Sequence, residues 1–293
     1  MTNFELYRLK LAGMTNLMLN KFLSFIDERN SENDLNDSQT GNDLLQLPEF
    51  IKRSDMKQKA LFWEKFRQID AKVARADFLK YPSFSIFDEV YPEALRESYN
   101  PPVLVFYQGD LSLLSQPKLG FVGSRDCSRQ GISSVQKIIK ELGNQFVVVS
   151  GLARGIDTAC HIAAMKNGGQ TIAVIGTGLD VTYPRENFQL QDYISKHQLI
   201  LTEYGPSEKA LKYHFPDRNR IIAGLTRGVV VTEAKLRSGS LITCERAMEE
   251  GRDVFAVPGN IVDGLSDGCH HLIQEGAKLV FHGQDILSEY TYE

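Results

Sequence analysis

Several common signatures are missing from this 293-residue chain, and each absence removes a class of function. No run approaches the roughly 18 to 20 consecutive apolar residues that a membrane-spanning helix requires. The start, "MTNFELYRLKLAGM", lacks the basic opening and apolar stretch of a secretory leader, so the expected location is the cytoplasm, with no membrane partner. The four cysteines, Cys127, Cys160, Cys244 and Cys269, lie far apart with no C-x-x-C pair, which argues against a disulfide framework and a zinc ribbon. No G-x-x-x-x-G-K-[ST] occurs, so a P-loop nucleotidase in its usual form is excluded. A dinucleotide fingerprint is also lacking: "GSRDCSRQG" has no second glycine two residues on, and "GTGLDV" places Val181 where a third glycine belongs. "DGCHH", with Cys269, His270 and His271, has no second ligand pair at zinc spacing. No cofactor or metal is expected.

What is present is uneven in charge. The chain is acidic overall at −4, and residues 31 to 49 hold five acidic side chains and no Lys or Arg. From Lys209 to Arg237 there are seven basic residues against two acidic, a local balance of +5. An acidic protein can carry one strongly positive face.

Residues 1 to 84 read as a small, all-helical domain. "NFELYRLKLAG" and "TNLMLNKFLSFI" are amphipathic, and "DMKQKALFWEKFRQIDAKVARADFLK" continues the 3.6-residue period. The intervening "SENDLNDSQTGND" has the composition of a mobile loop. "LAGMTNLMLNKFL" suggests a helical hairpin of the sterile-alpha-motif or helix-hairpin-helix kind.

Residues 85 to 293 change pattern. The short apolar runs "LGFVG", "FVVVS", "TIAVIG", "LILTE", "GVVVTE" and "DVFAVPG" alternate with helical stretches such as "QGISSVQKIIKELG" and "GIDTACHIAAMKNG". In the second helix Ile156, Ala159, Cys160, Ala163 and Ala164 share one face. Strands apolar nearly throughout and separated by helices predict an α/β fold, a doubly wound, mostly parallel sheet covered on both sides.

The ligand crevice of such a sheet lies beyond the carboxyl ends of its strands. Those ends read Gly123-Ser124-Arg125, Ser150-Gly151, Gly176-Thr177-Gly178, Thr232-Glu233 and Pro258-Gly259. Glycine there allows close backbone approach, and the helix that follows offers unpaired N–H groups at its positive end. "SGLARGID", with Gly151 and Gly155, fits an anion-binding turn best. Among possible hydrolytic acids, Asp157 sits where it serves the helix dipole, and Glu233 alone is a candidate. An alternative reading follows from it: a nucleotide-hydrolysing, phosphoribohydrolase-like Rossmann enzyme, although the glycine-rich phosphate segment of such enzymes is missing here.

Seven blocks occur in order: "YPEALRESYNPPVLVFYQGD", "GFVGSRDCSRQG", "VVSGLARGIDTACHIAA", "IAVIGTGLDVTYPREN", "LKYHFPDRNRIIAGL", "VVVTEAKLRSGSLITCERAMEEGRDVFAVPGN" and "SDGCHHLIQEGAKLV". Together they resemble the DNA-processing protein A (DprA/Smf) family over residues 85 to 282. The resemblance implies an extended Rossmann-like domain preceded by a helical, sterile-alpha-motif-like domain. It further implies a non-catalytic protein that binds single-stranded DNA and loads a RecA-type recombinase onto it in natural transformation. Carried over by motif, the DNA site comprises Gly123, Ser124 and Arg125, then Ser150, Gly151 and Gly155, then Arg185, Lys212 and Arg220, and finally Ser238, Gly239 and Ser240. Lys235 stands where many relatives carry an uncharged residue. Homodimerisation is implied through "HHLIQEGAKLV", with Ile273 and Leu279 at the interface. Tyr183, Tyr213, His214 and Phe215 interleave with the basic residues, as a base-stacking surface requires.

Overall fold

In the computed structural model, residues 1–33 and 43–290 are described. Most of the polar stretch beginning at Ser31, residues 34–42, lies outside them. The chain opens with helices α1 (Asn3–Leu11), α2 (Asn16–Asn33), α3 (Leu47–Arg53), α4 (Lys59–Gln68) and α5 (Ala71–Phe78). Thr2 and Glu5 start α1 as a reciprocal capping box. The long period read over residues 55–80 is divided at Ile69 and Asp70. Asp70 turns the chain and caps α5, its carboxylate accepting from the N–H groups of Lys72 and Val73.

Strand β1 (Ser83–Ser85), helix α6 (Glu93–Arg96) and strand β2 (Leu104–Gly109) follow. Then come β3 (Lys118–Gly123), α7 (Arg129–Leu142), β4 (Val147–Ser150), α8 (Ile156–Lys166), β5 (Thr171–Val174), α9 (Phe188–His197) and β6 (Leu199–Thr202). The second half runs α10 (His214–Leu225), β7 (Gly228–Thr232), α11 (Gly239–Glu249), β8 (Asp253–Ala256), α12 (Asp267–Gln274), β9 (Lys278–Leu279) and α13 (Gly283–Glu289). All six apolar runs form strands. The six runs omit β1 and β9, which with three and two residues are too short to carry a period, and also β2, whose apolar Leu104–Tyr107 carries the same signal as the strands that were read.

The nine strands form one sheet in the order β1-β2-β6-β5-β4-β3-β7-β8-β9. From β6 to β9 the pairing is parallel, and β2 joins β6 antiparallel with β1 on its outer edge. The parallel part of the sheet therefore starts at β3, winds outward to β6, and returns to the other flank of β3 as β7. This is a mixed, mostly parallel, Rossmann-like sheet whose winding reverses between β3 and β7, where such a sheet opens a crevice.

Alternate residues of the strands feed opposite sides. On one side α7, α8 and α13 cover Leu119, Phe121, Val148, Val230 and Phe255. The amino-terminal helices extend that layer over Phe106, Ala173 and Ile200. On the other side α6 and α10 cover Val147, Val149, Ile172 and Val174, while α11 and α12 cover Val122, Val229, Val231 and Ala256. The helix face predicted from Ile156, Ala159, Cys160, Ala163 and Ala164 is buried at every position. The helical domain thus shares one apolar cluster with the sheet.

Candidate nucleic-acid interface

Two cavities of about 750 and 620 Å³ open at the carboxyl ends of the central strands. They share Arg125, Ala153, Tyr183 and Phe215, so they form two lobes of one groove. Five basic side chains line the larger lobe (Arg125, Lys212, Arg218, Lys235 and Arg237), against Asp157 alone. The smaller lobe holds Arg125, Arg154, Arg185 and Lys209 against Glu186, which pairs with Arg154 at 3.6 Å. Low-dielectric walls concentrate such a field. At the junction the Arg125 guanidinium lies 5.2 Å from the centre of the Phe215 ring, and Tyr183 packs on the same ring at 5.3 Å.

Three helices point their positive ends at this rim, and they differ in what already satisfies them. At α7, Ser128 accepts from the Gly131 N–H, while the Glu233 carboxylate accepts from the Ser128 N–H at 2.7 Å and from its hydroxyl. Glu233 is buried, held in left-handed backbone with φ 49°, and lines neither lobe. At α8, the turn "SGLARGID" holds a carboxyl of its own: Asp157 accepts from the Ala153 N–H at 3.3 Å. At α11 no side chain caps the first turn. Its opening residues Ser238, Gly239 and Ser240 line the larger lobe, with Lys235 and Arg237 just before them.

The glycines of "SGLARGID" do not leave room for a ligand. A Cβ on Gly151 would fall inside the Arg218 guanidinium, and one on Gly155 (φ 73°) would strike the Ser124 and Arg125 carbonyls. Gly151 admits the protein's own arginine, and Gly155 lets α8 abut the loop after β3. Arg218 is buried and donates from Nη1 to the Val174 carbonyl at 2.7 Å. Burial lowers its pKa from the ordinary arginine value, with the facing Asp157 acting in the opposite sense. Burial likewise raises the Asp157 pKa, opposed by Arg218 and by backbone N–H groups.

Arg218 was not among the predicted site residues; Arg220 was, and its place needs correction. Residues two apart on a helix point about 200° apart. Phe215, Arg218, Asn219 and Ile222 face the groove, while Arg220 turns away and pairs with the buried carboxylate of Glu203. Ser150 is also withdrawn from the groove: it is fully buried and its hydroxyl donates to the Phe121 carbonyl at 2.7 Å. Gly123, Ser124, Arg125, Lys212, Ser238, Gly239 and Ser240 line the larger lobe, and Gly151 and Arg185 the smaller. Gly155 lines neither, and supports the rim from behind.

Of the four interleaved aromatics, Phe215 and Tyr183 reach the groove. His214 is buried, stacked on Tyr204 at 3.8 Å with Nδ1 3.0 Å from the Gly176 carbonyl, and Tyr213 lines neither lobe. Ile273 is half-buried against the α11 and α12 cluster, whereas Leu279 is exposed on β9.

Chemically the groove offers donors. The Ser238 and Thr243 hydroxyls line the larger lobe, are buried, and have no hydrogen-bond partner, as does Nε of Arg218. The one carboxyl in that lobe is bonded to backbone. Such a surface takes a polyanion. Arg154, Arg218, Lys209, Lys235 and Arg237 join the predicted set, and the local +5 balance was the signal that held four of them.

The sequence model of the DNA recombination-mediator protein A family matches residues 83–291, and that of the DNA processing protein A sterile alpha motif domain matches residues 1–74. The chain is 58% identical to DNA processing protein DprA of Streptococcus pneumoniae over 291 residues, 99% of each chain. It is 47% identical to DNA processing protein DprA of Bacillus subtilis over 206 residues, 70% of this chain and 69% of that one. The X-ray structure of the Streptococcus pneumoniae protein superposes with a TM-score of 0.90 at 58% identity, covering 99% of this chain and 98% of that one. DNA processing protein A from Helicobacter pylori, in a structure concerned with its single-stranded DNA binding mode, gives a TM-score of 0.65 at 27% identity. It covers 72% of this chain and 97% of that one.

Proposed function

The chain belongs to the DNA recombination-mediator protein A family, and from that premise we propose that its groove binds single-stranded DNA without catalysing a reaction. The observation that carries this reading is the uncapped start of α11, set beside Arg218, Lys235 and Arg237 and beneath unpartnered hydroxyls. A phosphate there meets backbone N–H groups, a helix dipole and guanidinium groups at once. Arg125 and Lys212 receive the next phosphate, and Arg185 and Lys209 in the smaller lobe one further along. These contacts ignore sequence, because a phosphodiester carries no base information. Tyr183 and Phe215, at the waist between the lobes, stack an exposed base for about 1–3 kcal/mol. A duplex keeps its bases paired and stacked internally, so it gains the charge contacts but not this one.

The bound strand is presented to a RecA-type recombinase during natural transformation, in the cytoplasm, by a homodimer. The edge position of the two-residue strand β9, with Leu279 exposed on it, supports the dimer reading. Ile273 lies beside it as packing support for the interface. The hydrolase alternative loses its acid, because Glu233 is committed to the start of α7.

Labelled single-stranded and duplex oligonucleotides titrated at two salt concentrations test the reading. Tighter binding of the single strand is expected, with a log–log salt slope of about −0.7 per phosphate contacted. Equal, salt-insensitive binding of both, or release of base from a nucleoside monophosphate that stops in Glu233→Gln, overturns it.

A further inference from the structure

Among the described residues, the amino-terminal helical domain contributes no side chain to either lobe of the groove. It nevertheless grips the wall from behind. Lys10, at the end of α1, donates from Nζ to the Glu203 carbonyl and lies 3.7 Å from the Glu203 carboxylate, whose other oxygen pairs with Arg220. The three side chains are 15%, 7% and 10% exposed. A buried ionic triad adds little net stability after desolvation, but it tolerates few arrangements.

Glu203 follows β6 directly, and its neighbour Tyr204 stacks on His214 and donates to the His214 carbonyl at 3.3 Å. Both contacts hold the first turn of α10, the helix that carries Phe215 and Arg218 into the groove. Tyr7 of α1 completes the grip: a Cβ on Gly205 would lie 2.7 Å from its ring. Gly178 packs on the Gly205 carbonyl and donates its N–H to the Glu208 carbonyl at 2.9 Å. Thr177 and Val181 of that segment line the smaller lobe. From α1 to the groove there is thus a continuous series of close contacts, running through Glu203 and through Gly205 two residues on.

The structure assigns Lys10, Glu203 and Arg220 as positioning residues of the groove: through them the helical domain sets where α10 presents Arg218 and Phe215, and so tunes affinity for single-stranded DNA without touching it. This rests on the single-stranded DNA reading of the groove. By linkage, a ligand of the helical domain that displaces α1 changes affinity at the groove, and the reverse holds equally.

The test is equilibrium binding of the full chain to a labelled single-stranded oligonucleotide across a salt series, for wild type, Lys10→Met and Lys10→Arg. Lys10→Met is expected to weaken binding by roughly two- to thirty-fold. Its salt slope should match wild type, because no phosphate contact is lost, and Lys10→Arg should restore most of the affinity. Wild-type affinity in Lys10→Met, or a slope reduced by one contact, overturns the assignment. Should Lys10→Met fail to fold by circular dichroism, Lys10→Gln replaces it, keeping a donor for the Glu203 carbonyl, and the same outcomes decide. Wild-type protein that shows no salt-dependent binding removes the underlying DNA reading. Wild type that binds, with a variant that binds equally, removes the positioning role alone.

Discussion

The turns that open α8 and α11 look interchangeable in sequence: each follows a valine-rich strand, carries glycine and serine, and ends at the same rim. They behave as opposites. In "SGLARGID" the backbone donors meet Asp157 and the glycine gap is filled by Arg218, so the turn is closed on itself. In "LRSGSLIT" the helix is uncapped, a Cβ on Gly239 would meet nothing within 4 Å, and the Ser238 hydroxyl is buried without a partner. A glycine-rich turn thus signals close approach without saying by what. The first turn uses it to seat a cation from α10, which lines the same lobe as the second turn.

The largest effect expected from this contrast is on stability. Arg218→Met leaves the Val174 carbonyl unpaired and the Asp157 carboxyl buried without its facing charge, at a cost of about 3–5 kcal/mol, read by urea unfolding. Unchanged stability would mean that the closed turn does not depend on its arginine. Next in size is a change in binding. Replacing Lys235 and Arg237 together with Ala should lower the single-stranded DNA salt slope by about 1.4 in magnitude, with stability kept within about 0.5 kcal/mol. If Arg154→Ala, which removes a side chain paired with Glu186, lowers the slope as much, the two turns are not distinct.

The smallest effect is in the pH dependence of the closed turn. Burial raises the Asp157 pKa above its ordinary 3.8. The native state therefore holds that proton more tightly than the unfolded chain does. Stability from this source is fully present below about pH 3.8 and is lost as pH rises toward the folded value. The stability of Asp157→Asn relative to wild type should accordingly improve as pH is raised through that window, followed by paired urea midpoints. A difference independent of pH would show that the two states hold the proton equally.

Much of the fold was legible because its signals are local. Runs such as "FVVVS" and "GVVVTE" can only be strands buried on both faces, and the helices between them dictate parallel pairing. The position of the groove followed from topology alone. Apart from β2, what escaped was short or set by phase. β9 has two residues and no period to read. Arg218 and Arg220 are equally basic, and choosing between them needs the register of α10 against the sheet, which sets one arginine facing the groove and the other facing Glu203. Phe215 was legible as an aromatic among cations, but so were His214 and Tyr213, which lie outside the groove.

By itself the sequence determined a doubly wound sheet, a helical domain before it, and a rim of small and basic residues at the strand ends, because hydrophobic period and turn chemistry act over a few residues. Only the tertiary structure decided which positive helix end stays open. That outcome depends on carboxyls brought from elsewhere, Glu233 onto α7 across 105 residues of chain and Asp157 back onto its own turn, while among the described residues none caps the start of α11. Electrostatic neutralisation acts through space, and no local pattern records it.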